Sequence, residues 1–90
     1  MIIKILNDWN TNITNTDYCT KIICFDNPND YYLFEIFKYT LFVTSPLGAI
    51  HLADIYNKYY PNQRLFSSIE EAKDQVDKFI DRLPTYLIFQ

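Results

Sequence analysis

The sequence predicts an α+β domain: an antiparallel sheet of four to five strands with one amphipathic C-terminal helix packed on one face. Two observations lead to this fold class. Apolar, β-branched and aromatic runs separated by turn residues fill the first half of the chain, which is typical of strands. Near the C-terminus, apolar residues recur every three or four positions, the period of one helical face. The length of 90 residues and the 49% hydrophobic content indicate one folded domain over residues 1–90.

The N-terminal third predicts two strands. The first covers Ile2–Leu6, and the polar stretch Asn7–Asp17 that follows has the Asn, Asp and Thr content of a surface loop, in which Trp9 is unexpected. The apolar run Thr20–Phe25 predicts the second strand, and "DNPND" over Asp26–Asp30 is a strong turn signal. Together with the following "YYLFEIF" these segments predict a hairpin.

The stretch Asn29–Gly48 has two apolar faces if it is one extended strand, because side chains alternate along a strand. One face would carry Tyr31, Leu33, Phe37, Tyr39, Leu41 and Val43, and the other Tyr32, Phe34, Ile36 and Phe42. A helix can cover one face, so the N-terminal segment, curling of the sheet or another chain must cover the other. We therefore expect an aromatic sheet surface that contacts a partner, with Tyr32 and Phe34 on it.

The next turn, "TSPLGA", leaves Ala49–Tyr60 open between strand and helix. Pro46 suits the first central position of a type I turn and Gly48 can adopt a left-handed conformation, which favours a hairpin between "FKYTLFVT" and "AIHLADIY". In the competing interpretation, Ser45 caps a helix that starts at Pro46 and runs to Tyr60. We favour the hairpin.

The best-defined element is a C-terminal helix. Ser68 and Glu71 stand at capping-box spacing, and apolar residues then follow with helical period: Ile69, Ala72, Val76, Phe79, Ile80 and Leu83. Pro84 is expected to end the helix. The tail "TYLIFQ" then predicts a short last strand.

The exposed side of this helix carries an acidic stripe, Glu70, Asp74, Asp77 and Asp81, roughly opposite the apolar side. The simpler interpretation is a solvated helix face, because lysines and an arginine flank the stripe. The functional interpretation is that spaced carboxylates imitate phosphates and bind the basic groove of a nucleic-acid-binding protein.

Tyr56, Tyr59 and Tyr60 form a second aromatic cluster. Tyrosine is enriched at interfaces because its ring is buried while its hydroxyl stays in water, but such rings also cover the core of a small domain. Both interpretations stay open, and we include the three tyrosines among the candidate partner-binding residues.

No catalytic or cofactor motif is recognisable. His51, the single histidine, and Asp54 would point to opposite faces of a strand, and neither Ser45 nor Cys24 stands in a nucleophile motif. Cys19 and Cys24 have no second pair to complete a zinc site, so we expect reduced thiols, with Cys24 packed as a small apolar residue. We expect no enzyme activity, no cofactor and no metal.

The net charge of -3 argues against direct binding of nucleic acid. No run reaches membrane-spanning length and no signal peptide is recognisable, so we expect a cytoplasmic protein.

The pattern "SPLGAIHL … RLFSSIEEAKDQVDKFI" in the C-terminal half resembles the hairpin-then-helix ending of small proteins encoded by phages and mobile elements, of which anti-CRISPR proteins are the familiar kind. The resemblance implies a protein that blocks a host enzyme by binding it. We expect a non-enzymatic protein-binding module, in its more specific form a phage-encoded inhibitor of a host nuclease or CRISPR-type defence complex. The alternative is a structural homodimer that closes its aromatic sheet face on a second copy.

Overall fold

The computed structural model describes residues 3–12, 15–46, 52–60 and 65–88. Its elements are β1 (Lys4–Asn12), β2 (Asn15–Cys24), β3 (Tyr32–Phe37), β4 (Thr40–Thr44), α1 (Leu52–Tyr59) and α2 (Ile69–Ile88). The four strands form one antiparallel sheet in the order β1-β2-β3-β4, so each strand pairs with its neighbour in sequence. The α+β class and the amphipathic C-terminal helix on one face of an antiparallel sheet are confirmed. A second, shorter helix, α1, packs on the same face.

The predicted hairpin around "DNPND" is confirmed. β2 pairs with β3 in a regular register that brings Ile23 opposite Tyr32. The turn is closed by Asn27, whose carbonyl oxygen accepts the Asp30 N–H (3.0 Å) and whose side-chain oxygen accepts the Asn29 N–H (2.9 Å). This is the local hydrogen bonding for which asparagine is favoured in turns.

The predicted short first strand and the loop over Asn7–Asp17 are wrong. β1 continues to Asn12 and β2 begins at Asn15, so most of the polar stretch is strand. Two register shifts between Ile5 and Asn10 insert extra residues in β1, as β-bulges do in edge strands. A polar composition is compatible with such a strand, because water solvates one of its edges.

The stretch predicted as one long strand is interrupted, because β3 and β4 form a hairpin within its described residues. Lys38 and Tyr39 have positive φ angles of 47° and 69°, as a two-residue type I′ turn requires, although neither is glycine. Two backbone hydrogen bonds hold this turn: the Lys38 N–H donates to the Asp17 carbonyl (3.0 Å), and the Phe66 N–H donates to the Tyr39 carbonyl (2.9 Å). Contacts distant in sequence thus stabilise a turn that its own residues disfavour.

The predicted hairpin at "TSPLGA" is also wrong, because Leu52–Tyr59 is helical. The competing prediction of a helix gives the right element type, but α1 begins at Leu52 and not at Pro46. Residues 47–51, including Gly48, lie outside the described residues. The reason lies in the spacing of the apolar residues: Ile55 and Tyr56 are buried in the core, and Tyr60, four positions after Tyr56, packs against it. A helix brings residues four apart to the same side.

α2 begins as predicted and ends later than predicted. The Ser68 hydroxyl accepts the Glu71 N–H (3.1 Å), whereas the Glu71 carboxylate returns to Ser67 and not to Ser68. Pro84 does not end the helix, which runs to Ile88, so the predicted last strand is wrong as far as the described residues extend. Leu83 is fully buried against the sheet, and this packing offsets the backbone hydrogen bond that Pro84 removes.

Candidate functional site

The two faces of the sheet differ in what covers them. On the helix-facing side, α1 and α2 pack on alternate residues of β2 and β3, namely Cys19, Ile23, Tyr32, Phe34 and Ile36. Phe34 is fully buried and its ring meets that of Phe79 of α2, with 6.4 Å between the centroids. This side is the hydrophobic core of the domain.

Three of the predicted partner-binding residues lie in this core. Tyr32, Phe34 and Tyr56 are 5%, 0% and 2% exposed, so they cannot contact a partner in this fold, and their assignment is corrected. Tyr60 is half-buried and its ring packs against Phe79 (5.9 Å between centroids). Tyr59 is exposed at the end of α1. The tyrosine cluster therefore mainly covers the core, and Tyr59 is its exposed member.

The opposite side of the sheet is defined by three cross-strand rows of side chains, and we call it the outer face. Paired residues in an antiparallel sheet point to the same side, so the registers give the rows directly. The rows are Tyr18–Phe37–Thr40, Thr20–Glu35–Phe42 and Ile22–Leu33–Thr44, and a bridge from Thr40 to Leu65 extends the first row. None of the buried core residues of α1 or α2 belongs to this face.

The outer face exposes large apolar side chains. Phe37, Phe42 and Leu65 are 41%, 53% and 75% exposed. With strands about 4.8 Å apart and side-chain rows about 6.8 Å apart, each position covers about 33 Å², so the three rows and Leu65 cover roughly 330 Å². The largest apolar patch on a typical monomer has this size and is often functional. Of the residues on the sheet face expected to contact a partner, Phe42 is exposed, whereas Tyr32, Phe34 and Ile36 lie in the core.

The two-residue turn determines which residues of β4 share a face with those of β3. Phe37 pairs with Thr40 across the turn, so odd-numbered residues of β3 share a face with even-numbered residues of β4. Phe42 therefore joins Leu33 on the outer face, while Leu41 joins Ile36 in the core. In an uninterrupted strand Phe42 would instead share a face with Ile36, and Leu41 would share a face with Leu33.

Glu35 occupies the centre of the outer face. It is half-buried, pairs with Thr20 and Phe42 on either side, and is the only charged residue in the three rows. The Tyr18 hydroxyl donates a hydrogen bond to Glu35 Oε2 (2.7 Å), which raises the pKa of Tyr18. The Tyr18 ring also makes an edge-to-face contact with Phe37 (6.3 Å between centroids). These contacts fix the carboxylate among aromatic side chains.

The acidic stripe of α2 is only partly available to a partner. Glu70 pairs with Lys73 (3.5 Å) and Asp74 with Lys78 (2.9 Å), both between neighbouring turns of the helix. Asp81 is exposed. Asp77 instead contacts the sheet. Three carboxylates of the stripe, Glu70, Asp74 and Asp81, are therefore exposed, and the first two have a lysine beside them. The fourth, Asp77, contacts the sheet.

Asp77 belongs to an ion cluster that sequence reasoning missed, which we call the Lys21 cluster: Lys21, Asp8, Trp9 and Asp77. The Lys21 Nζ lies 2.8 Å from Asp77 Oδ1 and 3.2 Å from Asp8 Oδ1, and the Trp9 indole N–H donates to Asp77 Oδ1 (2.9 Å). The Lys21 side chain is only 7% exposed. The signal in the sequence was a lysine between Cys19 and Ile23, on the apolar side of its strand.

In the Lys21 cluster, the ammonium and the carboxylates stabilise each other in their charged forms. Burial alone would lower the pKa of the Lys21 ammonium, but hydrogen bonds to Asp77 and Asp8 outweigh it and hold the pKa above its usual value. The pKa of Asp8 is lowered by the backbone N–H of Trp9 and then by Lys21. Lys21 is therefore a charged, paired cation, and its Nζ lies 5.8 Å from the centroid of the Trp9 ring. The cluster fastens β1 and β2 to α2.

The described residues give no support for a metal site or a reactive thiol. His51 lies outside them, and no group of three histidine, cysteine or carboxylate residues in the described ranges could hold a metal ion. Cys19 and Cys24 are free and fully buried, as expected for Cys24, and burial raises the pKa of the Cys19 thiol. No helix in the described part of the chain is long and apolar enough to cross a membrane.

The outer face is thus the surface whose geometry most resembles a binding site: a flat apolar patch with one central carboxylate. Comparison with known proteins found no matching family model, no matching curated protein and no matching solved structure.

Proposed function

We propose that this protein is a non-enzymatic protein-binding module whose contact surface is the outer face. The observation that carries the proposal is that both helices cover one side of the sheet while Phe37, Phe42 and Leu65 stay exposed in adjacent rows on the other. Aromatic side chains at the centre of a patch are typical of protein interfaces. Burying the exposed half of Phe42 against a partner would contribute about 1–1.5 kcal/mol.

The experiment is a capture assay with matched variants. Tagged protein, the Phe42→Ser variant and an Asp81→Asn variant are incubated with host lysate, and the bound proteins are identified by mass spectrometry. Phe42 and Asp81 are both exposed, so neither change should disturb the fold, but only Phe42 lies on the outer face. We expect one partner that is lost with Phe42→Ser and kept with Asp81→Asn. Equal capture by all three proteins would refute the proposal.

In its more specific form, the proposal is that the partner is a host nuclease or CRISPR-type defence complex, which the protein inhibits by covering a surface. The net charge of -3 and the exposed carboxylates Glu70, Asp74 and Asp81 support a partner with basic surface, because opposite potentials speed association. The test adds the protein to the captured complex and measures nucleic-acid cleavage. Unchanged cleavage at saturating protein would reject inhibition and leave the binding function in place.

The role of the acidic stripe is tested separately. Reversal of Glu70, Asp74 and Asp81 to lysine removes the exposed carboxylates and leaves Asp77 with its structural contact. If the stripe attracts the partner, we expect association to slow at least about tenfold at low salt and the difference to shrink at high salt. An unchanged association rate would exclude a role of the stripe in attracting the partner.

A further inference from the structure

From the charge pattern of the outer face we infer that its occupant is a partner surface that presents an arginine, whose guanidinium binds Glu35. This inference rests on the proposed function and names the chemistry of the partner. Glu35 stands at the centre of nine positions, and the other eight carry no charge: Tyr18, Thr20, Ile22, Leu33, Phe37, Thr40, Phe42 and Thr44. A single carboxylate within an uncharged, largely apolar frame selects for a single cation.

The carboxylate has acceptor capacity for such a cation. An ionised carboxylate offers about four acceptor positions, and the Tyr18 hydroxyl uses one of them, at Oε2. That bond also orients the carboxylate before a partner arrives. Because Glu35 is half-buried among apolar side chains, a docked partner would remove the remaining water, and a charge-assisted hydrogen bond is stronger in such surroundings.

The neighbours of Glu35 favour arginine over lysine. Phe42 is directly opposite Glu35 across β3 and β4, and Phe37 is two residues along the same face. A planar guanidinium can stack on an aromatic ring while its N–H groups reach a carboxylate, whereas an ammonium is strongly hydrated and binds as a point charge. One cation already lies near this end of the sheet, since Lys38 Nζ is 5.5 Å from the Phe37 ring centroid. This contact shows that the Phe37 ring is accessible to a cation in this fold.

The same pattern argues against a second copy as the occupant. If two outer faces met around a two-fold axis, both Glu35 carboxylates would approach the axis and lose water without a cation. Two patches of roughly 330 Å² would bury only roughly 650 Å², the size of weak contacts and below that of standard stable interfaces. A larger partner can also contact Tyr31 and Tyr39, which are exposed beside the patch.

The test is a titration of the isotopically labelled full chain, followed by NMR, with the peptide acetyl-Leu-Arg-Phe-amide and with the same peptide carrying citrulline in place of arginine. Citrulline keeps the shape of the side chain and removes its charge. We expect the arginine peptide to shift resonances of the three outer-face rows and the citrulline peptide to bind about tenfold more weakly. Glu35→Gln should abolish the difference between the peptides, and Phe42→Ser should weaken both.

Four results would overturn the inference. Equal binding of the two peptides, or no effect of Glu35→Gln, would exclude recognition of arginine. If the peptides fail in this way while Phe42→Ser still abolishes partner capture, the proposed function survives alone. If Phe42→Ser leaves partner capture unchanged, both fail. A dimer in sedimentation equilibrium that Phe42→Ser converts to monomer would show that the outer face binds a second copy of the chain.

Discussion

Removal of Asp77 tests whether the Lys21 cluster holds the sheet to α2. The Asp77→Ala substitution deletes the closer of the two carboxylates on Lys21, at 2.8 Å, and the acceptor of the Trp9 indole N–H. The Lys21 side chain is only 7% exposed on the helix-facing side of the sheet. Its ammonium would have to leave that side to reach water. The substitution therefore leaves a buried cation with the more exposed Asp8 as its remaining partner in this cluster.

The expected loss follows from this geometry. Breaking a fully buried ion pair by removing one partner costs about 3–5 kcal/mol. Asp77 is 42% exposed, so water already screens part of the interaction, and Asp8 stays 3.2 Å from the ammonium. We expect the free energy of unfolding to fall by about 2 kcal/mol, which for a domain of this size lowers Tm by about 8–16 °C. Urea unfolding followed by far-UV circular dichroism measures the change.

The matched control is Asp74→Ala, one turn earlier on α2. It also replaces an aspartate by alanine in the same helix, so the gain in helix propensity is the same, but its pair with Lys78 is exposed on both sides. We expect a change within about 0.5 kcal/mol. Equal stabilities of the two variants would refute a structural role for the cluster. A Lys21→Met, Asp77→Leu double variant should recover most of the stability, because an apolar pair of similar size has no charge to desolvate.

Further predictions concern the core and α2. The Tyr56 hydroxyl is buried without a hydrogen-bond partner among the described residues, so Tyr56→Phe should raise the free energy of unfolding by about 1 kcal/mol in urea titrations. Burial, and then Tyr60, raises the pKa of Tyr56 to about 12. Between pH about 10 and 12 the Tyr56 hydroxyl therefore ionises in the unfolded chain but not in the folded one, so the free energy of unfolding falls over this range and does not depend on this group below it. Tyr56→Phe should reduce this alkaline loss of stability, and an unchanged pH profile would contradict this. Cys19 and Cys24 should react with Ellman's reagent only after unfolding in urea, and rapid labelling of the native protein would show that the core opens. Pro84→Ala should raise helicity and stability, by at most about 3 kcal/mol, because it restores a backbone hydrogen bond inside α2; no change in thermal unfolding would argue against a helix that continues to Ile88.

Local signals in the sequence predicted the elements whose chemistry is local. The Asn27 turn is closed within four residues, and the Ser68 cap lies within one turn of α2, so neither needs the rest of the protein. The helical period of α2 can be recognised in the sequence, because its buried residues, among them Val76 and Leu83, recur at helical spacing. These features fixed the class of the fold.

The errors occurred where distant contacts outweigh local preference. Nothing in "FKYT" marks a type I′ turn, because Lys38 and Tyr39 adopt positive φ angles that bonds to Asp17 and Phe66 stabilise. Without this turn, β3 and β4 form one predicted strand, and Phe42 is grouped with the core residues Tyr32 and Phe34 instead of with Leu33 and Phe37. The binding surface could be predicted as an uncovered aromatic sheet face, but its residues depend on the position of that turn.

A similar error affected α1 and the end of α2. Pro46 and Gly48 have strong turn preferences, yet Leu52–Tyr59 is helical, because Ile55 and Tyr56 pack into the core that contains Phe79. Pro84 is a helix breaker by propensity, but α2 continues through it next to the buried Leu83. Tertiary packing decides such cases, and single-sequence preferences do not contain it.

The order of the strands has a consequence for how the chain folds. Since each strand pairs with its neighbour in sequence, all three hairpins close short loops and lose little chain entropy. The contacts of α2 with the sheet are of another kind: Lys21 and Asp77 are 56 positions apart. We therefore expect the sheet to assemble first and α2 to dock late. Until it docks, the Lys21 ammonium lacks its closest carboxylate, so the same ion pair that stabilises the native state favours completion of folding over a sheet without its helix.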